Sequence, residues 1–130
     1  MAKYIFPAVF EKDGDFYCVY FPDIPGCNTQ GEGLQEAMEM AEDVLCLMLY
    51  DYEEKNQEIP KPSDPKSIET NDSAFVSLVA CDTLEYRKFF DSKTVKKKLT
   101  IPAWLNTAAE KAGINFSAVL QNALKAELKL

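Results

Sequence analysis

Lys96, Lys98 and Thr100 recur at every second position of the stretch Val95-Lys-Lys-Lys-Leu-Thr-Ile-Pro102. In an extended backbone, successive side chains point to opposite faces. These three therefore share one face, and Leu99 and Ile101 share the other. Lys97 falls on the core-facing side of the alternation. Ammonium and hydroxyl groups set in a row can donate hydrogen bonds to nucleic-acid base edges and phosphates. Asn115, Phe116 and Ser117 form a second candidate site. Asn115 can cap a helix, and the free amides at such a helix start can grip phosphate.

Other elements must position these groups. Pro102 ends the extended stretch and suits the first position of a helix, where no amide donor is needed. Leu105, Ala108, Ala109 and Ala112 follow at helical spacing, and Gly113 supplies a left-handed C-cap. The next helix carries an apolar stripe of Phe116, Val119, Leu120, Ala123, Leu124 and Leu128. One strand and two short helices have too little core to stand alone, and a lone strand leaves its backbone groups unpaired. A second copy cures both faults. Two strands pair as an antiparallel ribbon, four helices bury the stripes, and the ribbon fits the major groove of B-DNA. The order Lys-Lys-Leu-Thr-Ile-Pro, Gly-Ile-Asn-Phe-Ser, Val-Leu-Gln-Asn-Ala-Leu resembles the ribbon-helix-helix family of dimeric DNA-binding proteins. The resemblance covers the last quarter of the chain. Trp104 is read as a packing residue.

The net charge of −7 over 130 residues looks wrong for a DNA binder, but its distribution resolves this. Residues 93–130 hold seven lysines and two glutamates, a net +5, while residues 1–92 carry −12. Such a split suggests one part for nucleic acid and another for a basic partner. Cys18, Cys27, Cys46 and Cys81 form no C-x-x-C pair and the chain has no His, so neither a zinc site nor a disulfide framework is indicated. Cys18 and Cys81 sit in apolar runs and are expected to be buried. No apolar run approaches the roughly 20 residues that span a bilayer. The opening Met-Ala-Lys-Tyr-Ile-Phe-Pro lacks the apolar core of a signal peptide, so the expected location is the cytoplasm.

The acidic part reads as strand, strand, strand, helix, strand. Tyr4–Phe10 and Phe16–Phe21 form a hairpin turning at Asp13-Gly14, and Cys27–Gln30 is a third strand. Leu34–Tyr52 carries a continuous apolar stripe with acids mostly off it, and Gly33 stands at its N-cap. Residues 56–73, with Pro60, Pro62 and Pro65, read as a loop. Ala74–Cys81 is a buried strand, and Thr83–Ser92 a short helix or turn. The stretch Phe21-Pro-Asp-Ile-Pro-Gly-Cys-Asn-Thr-Gln-Gly, followed by Leu34-Gln-Glu-Ala, resembles the HicB antitoxin family. At Gly33 this chain departs from the Ser or Thr common there.

That resemblance implies an α+β chain with two parts. One is a truncated ribonuclease H-like βββαβ domain over 1–82. The other is a ribbon-helix-helix (βαα) domain over 95–130 that dimerises and binds DNA, with 83–94 as linker. It implies a HicA-like, RNA-cleaving toxin as partner, operator DNA as ligand, and a homodimer that can pair into a tetramer. Candidate toxin contacts are Asp23, Ile24, Pro25 and Gly26. A nuclease reading of the sheet is disfavoured, because two-metal chemistry needs clustered carboxylates and Asp13, Asp15 and Asp23 all lie in turns. No catalytic residue, metal, cofactor or membrane partner is expected. The alternative from another class is a stand-alone ribbon-helix-helix regulator with a ligand-sensing N-terminal domain. A small basic reading frame beside the gene would favour the antitoxin.

Overall fold

A computed structural model describes residues 2–130. The chain divides into two compact units, Met1–Lys93 and Thr94–Leu130. The first holds four strands, β1 (Lys3–Asp13), β2 (Phe16–Tyr20), β3 (Asn28–Glu32) and β4 (Ala74–Asp82), with helices α1 (Gly33–Glu54) and α2 (Thr83–Phe90). The strands form one antiparallel sheet in the order β3-β2-β1-β4. The second holds α3 (Ala103–Lys111) and α4 (Phe116–Leu128). The fold is α+β.

Period two along β1 decides which face meets α1. Phe6, Ala8 and Phe10 point into the core and join Val19, Val79 and Cys81 from the neighbouring strands. From α1, the buried stripe is Ala37, Ala41, Leu45 and Leu49, which packs on this face of the sheet. Leu34, at the head of the expected stripe, is instead exposed. Pro7 sits inside β1 opposite Leu78 of β4. It is tolerated because β2 reaches only to Tyr20, opposite Val9, so β1 is ladder-paired on one side at Pro7. Cys18 is exposed rather than buried, because β2 turns Tyr17 and Val19 toward α1 and Cys18 away.

The start of α1 corrects the expected cap by one residue. The N-cap is Glu32, and Gly33 is the first helical residue at φ +77°. That left-handed value explains why glycine replaces a hydroxyl residue here. The Glu36 carboxylate accepts from the Glu32 amide in place of a capping side chain. The segment expected as a linker, 83–94, opens with α2. Asp82 caps this helix by accepting from the Leu84 amide at 3.0 Å and the Glu85 amide at 3.3 Å. Residues 91–102 form no strand. A ladder needs a second strand, and a single copy offers Lys96–Ile101 none.

Candidate functional site

In the second unit, Asn115 caps α4: its Oδ1 accepts from the Ala118 amide at 3.1 Å. Gly113, at φ +69°, closes α3. Its amide donates to the Glu110 carbonyl at 3.0 Å, and the Ile114 amide donates to Ala109 at 3.1 Å. Asn115, Phe116 and Ser117 thus lie together at one helix start. Lys96, Lys98 and Thr100 lie on the segment before α3, all exposed. No residue of 94–130 is buried, and Trp104, expected to pack, is 72% exposed.

In the first unit, the β2–β3 connection is a compact loop. The Phe21 amide donates to Cys27 and the Cys27 amide to Ile24, at 3.0 and 3.1 Å. Ile24 is buried in the core, so of the four candidate contact residues it acts as the anchor, while Pro25 and Gly26 are exposed. Asp23 is engaged within the chain. Its Oδ2 accepts from the Ser63 amide at 2.9 Å, and its Oδ1 from the Ser63 hydroxyl.

Where α1 ends, Glu53 gathers three elements. Its carboxylate accepts from the Tyr4 and Thr83 hydroxyls, each at 2.9 Å, and from Arg87 at 3.1 Å. Burial alone would raise its pKa. Hydrogen bonds to the charged form, those from Thr83, Tyr4 and Arg87 among them, oppose this, and the result is a pKa lowered to about 2. Burial, together with the same hydrogen bond, pushes the Tyr4 hydroxyl up to about 12. Arg87 also pairs with Glu54, and its guanidinium lies 4.5 Å from the centre of the Tyr50 ring. Sequence reasoning assigns nothing to Glu53, Thr83 or Arg87. Only Asp82-x-x-Glu85, a capping pattern, points to an ordered helix there.

On the solvent side of α1 and α2, Met40, Val44, Leu47, Tyr86 and Phe90 line a groove that reaches Thr29 of β3. Among the described residues, no cluster of three or more His, Cys, Asp or Glu could hold a metal ion. No helix among them is long and apolar enough to cross a membrane.

The geometry defines an α+β protein with an acidic sheet-and-helix unit joined to a basic two-helix unit. Residues 6–123 match the family described as HicB_like antitoxin of bacterial toxin-antitoxin system, and the chain belongs to that family. It is 40% identical over 75 residues to Antitoxin HicB 2 of Photorhabdus laumondii, covering 58% of this chain and 50% of that protein. The chain spans about half the length of the Photorhabdus antitoxins it matches. Among solved structures, a toxin–antitoxin complex from Streptococcus pneumoniae contains a chain 32% identical, with a TM-score of 0.62, covering 96% of this chain and 99% of that one. The Burkholderia pseudomallei antitoxin HicB shares the fold at 22% identity and a TM-score of 0.51, covering 99% and 98%.

Proposed function

We propose that this chain is an antitoxin that binds and neutralises a HicA-like, mRNA-cleaving toxin through its first unit. Through its second unit it represses its own operon by binding operator DNA. In this reading the sheet and α1 form a truncated ribonuclease H-like domain. Residues 95–130 form half of a ribbon-helix-helix dimer, which can pair into a tetramer. Lys96, Lys98 and Thr100 face the groove, and the start of α4 at Asn115–Ser117 meets phosphate. The protein works in the cytoplasm, where its RNA-cleaving partner and operator are, and supplies no catalytic group.

The observation that carries this reading is the state of the second unit in one copy. Leu99, Ile101, Leu105, Phe116, Val119 and Leu124 all stand exposed, and nothing in 94–130 is buried. Two amphipathic helices and a strand-like segment without a core need an identical partner to bury their stripes. The toxin half is supported by the antitoxin relatives, by the toxin–antitoxin complex among the structural neighbours, and by the acidity of residues 1–92.

The test is co-expression with the cognate HicA-like toxin, alongside gel shifts on the operon's upstream DNA. Growth rescue and a shifted band are expected from the full chain. Rescue without a shift would remove the repressor half, and a shift without rescue the antitoxin half.

A further inference from the structure

The groove between α1 and α2 has an apolar floor and an acidic rim. Leu47 is 53% exposed and Phe90 66%, and Met40 and Tyr86 lie beside them. Asp43 lines the groove, and Glu39 stands one helical turn before it on the same face, also exposed. Like charges at this spacing repel along a helix. The cations nearby are already engaged: Arg87 with Glu53 and Glu54, Lys55 with Asp51, and Lys88 with Glu85. Among the described residues, no ion pair reaches Glu39 or Asp43.

Large apolar groups inside a charged rim are the anatomy of a protein interface, and the sign of the rim selects the partner. We propose that this groove is the toxin-docking surface. It takes a basic segment that seats apolar side chains over Leu47 and Phe90 and sets its lysines or arginines against Glu39 and Asp43. The inference rests on the antitoxin reading above and locates its interface. It favours the groove over the Asp23–Gly26 loop, whose Ile24 is turned into the core and whose Asp23 is held by Ser63. The face of the sheet away from α1 also exposes apolar groups, Ile5 and Leu78 among them. The acids on that face of β1, Glu11 and Asp13, lie at the far end of the strand from Ile5.

The experiment uses the full chain and the cognate HicA-like toxin, with affinity read by titration calorimetry. Leu47→Arg and Asp43→Lys should each weaken binding at least tenfold, and Asp43→Lys should flatten its salt dependence. Leu78→Arg, on the opposite face, should bind like wild type. Circular dichroism and operator gel shifts monitor folding. Should Leu47→Arg fail to fold, Asp43→Lys, at an exposed position, decides alone. If wild type binds and the folded groove variants bind equally well, the groove is not the interface, although the antitoxin reading stands. If wild type does not bind, that reading falls and this inference with it. If a groove variant instead lowers the oligomeric state of the chain alone, as read by sedimentation, the occupant is a second copy and the proposal is overturned.

Discussion

Asp23 and Ser63, 40 residues apart, are joined twice: Ser63 donates both its amide, at 2.9 Å, and its hydroxyl to the two oxygens of one carboxylate. This contact ties the proline-rich segment after α1 to the β2–β3 loop. Hydrogen bonds to a charged acceptor contribute roughly 1.5–3 kcal/mol where partly shielded from water. Asp23→Ala should therefore destabilise the first unit by about 1–2 kcal/mol, read as a lower urea midpoint with unchanged slope. It should also speed hydrogen exchange at the Ser63 amide. An unchanged exchange rate would show that the segment is held by other contacts.

Glu53 makes stability depend on pH. Its folded pKa, about 2, lies below the ordinary value of 4.5. The folded state thus favours the charged form, and the contribution is complete above the unfolded value. It is lost as pH falls from about 4.5 toward about 2. The Glu53 side chain is only 9% exposed, so solvent screening is modest. Glu53→Gln should cost on the order of 2–3 kcal/mol at pH 7, and the gap to wild type should close across that acid window. Urea midpoints measured from pH 7 down to about pH 2.5 check this, and a gap that stays constant with pH would contradict it.

Two glycines close together in sequence should fail for different reasons. A Cβ at Gly31 would lie 2.5 Å from the Ala37 nitrogen and 2.7 Å from its Cα, all backbone of α1. Gly31→Ala must push α1 off β3 and should cost about 3 kcal/mol or more, at the upper end of overpacking effects. At Gly33 a Cβ would meet nothing, but φ is +77°. Gly33→Ala should cost only about 1–2 kcal/mol of left-handed strain. Equal thermal shifts for the two variants would refute the distinction.

What the sequence made legible follows the reach of each interaction. The hairpin, the long helix and the helix-Gly-helix ending come from local periodicity and turn residues. Their boundaries move by a few residues: the third strand runs Asn28–Glu32 rather than Cys27–Gln30, and the cap of α1 is Glu32 rather than Gly33. The Glu53 cluster was invisible, because Tyr4, Thr83 and Arg87 lie 49, 30 and 34 residues from it in the chain. No spacing rule reaches that far. Cys18 departs from its expected burial because an apolar run does not say which of its alternate residues faces the helix. The candidate site at residues 95–101 was legible only as a pattern. Its strand requires a ladder that a single chain cannot make.

The alternation at residues 96–101 gives the sharpest test of the DNA reading. In a paired ribbon, Lys98 and Thr100 point toward base edges while Leu99 and Ile101 point into the dimer core. Lys98→Ala and Thr100→Ala should each leave the dimer folded and weaken operator binding by roughly 1–3 kcal/mol for every base edge no longer met. Lys97→Ala, off that face, should matter less. Leu99→Asp should act differently, because a carboxylate forced between the two copies must be desolvated without a partner. It should dissociate the dimer and abolish binding indirectly. Gel shifts at fixed salt, paired with sedimentation of each variant, separate the two outcomes, since phosphate contacts alone make affinity fall steeply with ionic strength. If Lys98→Ala and Thr100→Ala both bind like wild type while Leu99→Asp still disrupts the dimer, residues 95–101 hold the copies together. The operator is then read by another surface, with Asn115–Ser117 at the start of α4 the next group to substitute.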